Sequence, residues 1–475
     1  MTNPFSRIFP LFKGGQVENF YSLEGPVPFL KALPFIIQHI LAMFVSTITP
    51  ILIILSISYE GTYLDSQIIE NGIRTALFFS GLATIFQLLP VWKFGSKLPV
   101  ICGSSFTFIG SLSFIASLYG FQTMFLASII GGIVAIAIGL SASIWGKWIK
   151  PIVGAIVVLA LGLSLLGSAA KQFLGLDDIA SLSAFYDFSL AWPYLVVAST
   201  SLLATLLFRI FVKGIWKNVS IGVGLAVGYL VALCFPGMLD FSLLHFHSLT
   251  DFLDVPRPIF TLLSFSWGDF NLGATISVCL VYLVGIVDAF GGVTALTNGL
   301  DGRRPSGNEL AGLAGSLGFF STLAGLFGGV GLSSYIQNAS ITIENRARNK
   351  AIPIAVGLFL ALSSFFPLLP RLMLTVPKAA LGGVTMMLFA SIALSGMRMI
   401  VKCGANAKNT IIVCLSLGLG FGLTLVPSFV QAEQSSEWVT QLLLIVKNPV
   451  ASMFVISLVL SYALPKRLEN TIEEG

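Results

Sequence analysis

The chain has 475 residues, 56% of them hydrophobic and 10% charged, with a formal net charge of +5 and a mean hydropathy of +0.92. That balance excludes an ordinary soluble domain and points to an all-α polytopic membrane protein. The basic surplus sits in short connections between apolar runs, which gives no reason to expect nucleic acid, and five scattered cysteines form neither a disulfide framework nor a metal-ligand pattern.

Residues 1–30 contain no apolar stretch with a cleavage site, so no signal peptide is expected and the segment reads as cytoplasmic. Apolar runs of membrane-spanning length, roughly 20 residues, then follow near 31–54, 74–94, 98–117, 122–144, 150–168, 191–212, 218–239, 274–296, 308–326, 331–346, 351–369, 378–400, 408–426 and 447–465. Residues 240–273 read as an extracytoplasmic loop and 466–475 as a cytoplasmic tail. If both termini are cytoplasmic, only Arg74, Lys171, Arg257, Arg371, Lys378 and Lys447 of the 26 basic residues face the other side. Short cytoplasmic loops are enriched in Lys and Arg, so this skew supports fourteen transmembrane segments in the inner or plasma membrane.

Fourteen segments divide into two sevens, and an odd number turns the second half over: a 7+7 inverted repeat. Runs 3 and 10 are short and broken. Gly103-Ser104-Ser105-Phe106 in the third echoes Leu332-Ser333-Ser334-Tyr335 in the tenth, and each follows a Gly- or Pro-containing approach. Irregular backbone at membrane depth persists only where protein buries it or it lines a cavity. Paired interruptions of this kind mark substrate sites in secondary transporters. Two half-helices with facing N-termini are expected, whose free N–H groups can donate to a ligand.

Of 21 acidic residues, only Asp288 lies well inside a span. A carboxylate there is costly to bury, which suits a proton-coupling group that also binds substrate. His39 is the one histidine inside a run; it could relay a proton or clip two helices together. His245 and His247 belong to the 240–273 loop, with little to suggest a metal. Gln337 and Asn338 stand where run 10 restarts as a helix, and a carboxamide matches the amide edge of a heterocycle. Phe106 and Tyr335 could flank a planar ligand or simply pack. No cation is expected within a span, which argues against an inorganic anion as cargo.

At these residues the chain resembles the nucleobase–ascorbate transporter family, the nucleobase:cation symporters that include bacterial uracil and xanthine permeases. The likeness rests on Gln38-His39-Ile40-Leu41-Ala42-Met43-Phe44, on Gly103-Ser104-Ser105-Phe106-Thr107-Phe108, on Gln337-Asn338 through Arg346, and on Val376-Pro377 to Gly382-Gly383 with Gly396. Against the family signature, Gln337, Asn338 and Arg346 match, while Ser340 replaces Gly and Asn345 replaces Thr. The resemblance implies a core domain (31–144 and 274–369) that holds substrate and a gate domain (150–239 and 378–465) that dimerises. It further implies that Asp288 stands for a substrate-binding Glu, that Gln337 reads the base, and that the backbone at Phe106 and Ile336 donates to it. His39 would join the proton network. Departures are the shorter Asp288, Gly292 where a polar side chain is common, and the bulky Ile336.

The expected function is proton-coupled import of a nucleobase, a purine such as xanthine, without cofactor or metal, with Na⁺ as an alternative coupling ion. The rivals are a uracil permease of the same family, an anion exchanger of the same fold, a multi-pass membrane enzyme and a channel.

Overall fold

The computed structural model describes residues 9–12, 16–59, 62–145, 148–176, 188–212, 219–239, 241, 253–425, 446 and 448–469. His245 and His247, the basic residues Arg7, Lys13, Lys147, Lys213, Lys217 and Lys447, and the end of the cytoplasmic tail lie outside that set.

The described chain is mostly helical. The helices are α1 (Phe29–Leu55), α2 (Ser66–Leu88), α3 (Ile109–Leu140), α4 (Pro151–Phe173), α5 (Phe188–Phe211), α6 (Ser220–Ala232) and α7 (Leu272–Asp301). They continue as α8 (Gly307–Leu326), α9 (Ile336–Asn345), α10 (Ala351–Ser363), α11 (Leu368–Leu374), α12 (Lys378–Lys402), α13 (Ala407–Leu415) and α14 (Pro449–Ala463). Among the described residues, eight helices are long and apolar enough to cross a membrane, or nine if α10 and α11, bent by 80°, count as one span. Burying the hydrogen bonds of the backbone inside each segment is what makes the helix obligatory in an apolar medium.

Close packing of these helices depends on small residues where backbones meet. A Cβ on Gly162, Gly382 or Gly396 would lie 2.2–2.4 Å from backbone of the facing helix, which locks α4 against α12. The same restriction at Gly132, Gly139 and Gly318 seats α3 on α8.

Besides a two-residue hairpin of Ser58–Tyr59 with Thr62–Tyr63, two short strands lie among the helices. Strand β1 (Cys102–Ser104) pairs antiparallel with β2 (Leu332–Ser334), in register Cys102↔Ser334, Gly103↔Ser333 and Ser104↔Leu332. Both are fully buried, so every ladder group needs a partner. The ends are tied as well: the Ser105 N–H donates to the Gly331 carbonyl at 2.9 Å and the Tyr335 N–H to the Ile101 carbonyl at 2.9 Å. The Cys102 N–H, which points away from the partner strand, donates to Thr84 Oγ1 of α2 at 2.9 Å.

The stretch labelled α3 is two helices that meet at Gly120, where φ is +86°, between the runs expected at 98–117 and 122–144. One feature differs from the sequence reading. Arg74, expected in a loop, lies inside α2, because Asp65 caps that helix by accepting from the Gln67 N–H at 2.9 Å and starts it at Ser66. Arg74 is 4% exposed and is neutralised by Glu70 one turn back and by Asp254. Arg371 of α11 reaches Glu70 at 3.2 Å. Burial raises the Asp254 carboxyl, but the Arg74 guanidinium, the Val255 N–H and Arg257 outweigh it and hold Asp254 below its ordinary range.

Candidate functional site

The site is built on α7 and on the two strand–helix junctions. Helix α7 is capped by Asn271, which accepts from the Ala274 N–H at 2.9 Å, and it ends at Gly302 in the left-handed conformation. Its middle is largely apolar, and Asp288, 7% exposed, interrupts it there. Ser333 Oγ of β2 donates to Asp288 Oδ2 at 3.4 Å, and Ser334 Oγ donates to the Ala289 carbonyl at 3.3 Å. The paired strands therefore touch α7 at the level of its carboxylate.

A clamp from α2 aims the approach to β2. Asn71 Nδ2 and Thr75 Oγ1 both donate to the Phe327 carbonyl, at 2.7 and 2.8 Å, just past the end of α8. The chain then turns through Gly328, at φ +84°, into Gly331. Gly331 and Gly103 are needed for a reciprocal fit. A Cβ at Gly331 would strike the Phe108 ring at 2.3 Å, and one at Gly103 would strike the Tyr335 ring at 2.4 Å. Tyr335, just after β2, thus covers β1, and Phe108, four residues past β1, covers the approach to β2.

The two junctions differ in their caps. Ser105 Oγ accepts from the Thr107 N–H at 3.3 Å and closes the turn before α3. Tyr335, at the same place before α9, gives no side-chain cap; its hydroxyl donates to the Ser104 carbonyl at 2.9 Å instead. The first N–H groups of α9, at Ile336 and Gln337, are left without a capping side chain, and they carry the positive end of the helix dipole.

A cavity of about 410 Å³ opens at this junction. Asp288, Gln337, Phe106, Ile336, Tyr335, Ser105 and Ser340 all line it, a size and mixture of walls suited to a small planar ligand. The Phe106 ring stands edge-on to Phe389 of α12 with centroids 5.4 Å apart, which makes an aromatic corner. Gly292 faces Ile336 Cγ1 and Ser334 Oγ, each 3.2 Å from where a Cβ would lie. The two departures noted in the sequence are thus one complementary pair: the larger side chain on α9 fills the space vacated on α7.

Asn338, His39, Asn345 and Arg346 are not among the cavity-lining residues. Asn338 Nδ2 donates to the His39 carbonyl at 3.4 Å, and Asn345 Nδ2 donates to Gln38 Oε1 at 3.0 Å. These bonds tie α9 to α1 behind the cavity wall. His39 is 2% exposed, and its Nδ1 has no partner among the described residues. Arg346 ends α9 in the left-handed conformation at φ +53°. His39 and Asn338 therefore lie outside the cavity lining, on α1 and the base of α9.

The sequence reading missed the polar cavity residues Arg209, Ser220, Glu344, Ser391, Ser395 and Arg398, and its expectation of a cation-free interior is corrected. The signal was present in α12: Ser391, Ser395 and Arg398 recur at helical spacing along one face of an otherwise apolar segment, and all three line the cavity. Arg209 donates to Ser391 Oγ at 3.4 Å.

With this arrangement in view, the comparisons with known proteins fall into place. The xanthine–uracil permease profile, described as Permease family, matches residues 30–429. The chain belongs to that family, the nucleobase–ascorbate transporters, and is a multi-pass integral membrane protein. Its similar curated relatives include xanthine permease XanQ of Escherichia coli (strain K12), 29% identical over 95% of each chain. They also include the xanthine permease of Bacillus subtilis (strain 168), 27% identical over 84% of this chain and 87% of that one. Uric acid permease PucK of the same organism is 28% identical over 82% and 87%. Among solved structures, the transmembrane domain of the cyanobacterial bicarbonate transporter BicA aligns with a TM-score of 0.55 at 14% identity, over 91% of this chain and 98% of that one. Murine SLC26A9 in the inward-facing state aligns at 0.54 and 12% identity, over 90% and 68%. At such identity these structures share the fold alone.

Proposed function

We propose that the protein is a proton-coupled importer of a nucleobase, most specifically a purine such as xanthine. The observation that carries this reading is one cavity in which Asp288, Gln337 and the uncapped start of α9 converge. Relatives named as xanthine and uric acid permeases support a purine as cargo. Because the family transports rather than transforms its cargo, an enzymatic role is set aside.

In this mechanism Asp288 hydrogen-bonds the base and takes up the coupling proton, with Na⁺ as the alternative ion to test. Gln337 pairs with the amide edge of the ring, the N–H groups at Ile336 and Phe106 donate to its acceptors, and Phe106 and Tyr335 flank its faces. The segments 31–144 and 274–369 form a core that carries the base, and 150–239 with 378–465 form a gate that dimerises, in a fourteen-segment inverted repeat with both termini cytoplasmic. Core and gate move against each other to alternate access.

Arg209 and Arg398 in the cavity lend specific support to a second reading, exchange of small anions. One experiment separates the two: thermal stabilisation of the purified protein by xanthine, uric acid, uracil, ascorbate, bicarbonate and sulfate. Purines are expected to raise the midpoint. Stabilisation by bicarbonate or sulfate with no response to any base would overturn the proposal in favour of the anion exchanger.

A further inference from the structure

A second cavity, of about 830 Å³, shares α4, α7 and α12 with the first and lies toward the start of α4 and the end of α12. On α7, Asp288 lines the first cavity while Val287, Phe290 and Gly291 line the second; on α12, Arg398 lines the first while Met399, Lys402 and Cys403 line the second. Where the helices touch, a Cβ on Gly291 would come within 3.4 Å of Met399 Cε.

The chemistry of this second cavity is divided. Its rim gathers Arg303, Arg304, Lys402, Lys150 and Lys408, and among the described residues no carboxylate lines it. Three of these cations have other engagements. Arg303 pairs with Glu309 at 2.7 Å and with Asp301 at 3.6 Å. Lys150 and Lys408 donate to the Ser461 and Leu464 carbonyls at the end of α14, at 3.0 and 2.8 Å. Arg304 and Lys402 are exposed and make no ion pair among the described residues, so two positive charges remain for an external anion.

The rest of the wall carries four polar side chains, Thr294, Asn298, Asn406 and Asn409, and is otherwise apolar, with Ile149, Val287, Phe290, Leu310, Met399 and Ile412. The rim stands where α7 and α12 end and α4 and α13 begin, which sets it at the boundary of the apolar layer. Val287 lies fifteen residues before Gly302 on α7, about 22 Å deeper at about 1.5 Å per residue. A basic mouth over a long, mostly apolar wall complements a phosphate that carries a hydrocarbon tail, and basic pockets between membrane helices take anionic headgroups on this principle.

We propose that this cavity binds an acidic phospholipid, its headgroup phosphate held by Arg304 and Lys402 and an acyl chain laid along α7 and α12. The occupant would press on the helix that carries Asp288, so membrane composition would bear on the neighbouring cavity without touching it.

The test uses delipidated full-length protein in micelles doped with phosphatidylglycerol or phosphatidylcholine, with inorganic phosphate and glycerol 3-phosphate as soluble arms. Phosphatidylglycerol is expected to raise the thermal midpoint saturably. In Arg304→Gln/Lys402→Gln its half-saturating concentration should rise by roughly 30-fold, the effect of losing two surface cations facing an acidic headgroup. The charge-keeping variant Arg304→Lys/Lys402→Arg and the control Lys31→Gln/Lys93→Gln should respond like the unaltered protein. The proposal fails if the charge-removing variant keeps the full response, if the charge-keeping one loses it, or if phosphatidylcholine protects equally. Saturation by inorganic phosphate or glycerol 3-phosphate at millimolar concentration would overturn the lipid and leave a soluble phosphate site.

Discussion

The junctions after β1 and after β2 are built from the same parts and do different work. After β1, Ser105 closes the turn with its own side chain, and the chain proceeds into the first of the two helices that meet at Gly120. After β2, Tyr335 spends its hydroxyl on the opposite strand and leaves the ten-residue α9 uncapped beside Asp288 and Gln337. The lesson is a division of labour: one copy is finished as a brace, and the other is left open toward the cavity, where a ligand can complete it.

That contrast can be broken or sharpened by substitution, most severely at the carboxylate that only the second junction touches. Asp288→Asn should reduce accumulation of radiolabelled base in energised vesicles to background while the protein still purifies as a folded species; accumulation against a gradient would remove Asp288 from coupling. Next in size, Gln337→Glu should change relative affinity among bases by roughly tenfold, the worth of one satisfied against one unsatisfied buried polar contact. A competition profile identical to that of the unaltered protein would show that Gln337 does not read the ring.

Gly103→Ala and Gly331→Ala crowd the two reciprocal aromatic rings. Each should destabilise by about 1–3 kcal/mol, seen as a lowered midpoint in detergent, and similar losses would establish that the two covers are equivalent. The smallest effect is expected from Ser105→Ala, about 1 kcal/mol for a lost cap with binding of the base retained. If that variant instead lost binding at unchanged stability, the brace would itself be a ligand contact.

Much of this was legible from the residues. The run read at 308–326 is α8, Gly307–Leu326, and the run at 378–400 is α12, Lys378–Lys402, because long apolar stretches must be helical in lipid. The two interruptions and the isolated acid were visible for the same reason, as polar matter in an apolar setting. What could not be read was pairing over distance: β1 and β2 meet across more than two hundred residues, and no local pattern encodes their register. Arg74 was misplaced because a charge ordinarily ends a span, whereas Glu70 and Asp254 allow this one to sit inside α2. Arg398 escaped notice near the end of its helix, where a basic residue is commonplace; its place in the cavity depends on how α12 is rotated, which packing against α4 decides.

The ladder between β1 and β2 has a mechanical corollary. Three registered residue pairs, two flanking main-chain bonds and two interlocked rings make the mouths of both half-helices a single stiff carriage. If the proposed seat against α9 holds, a passenger there could not be released by loosening one arm and would have to be carried whole past the helices that flank it.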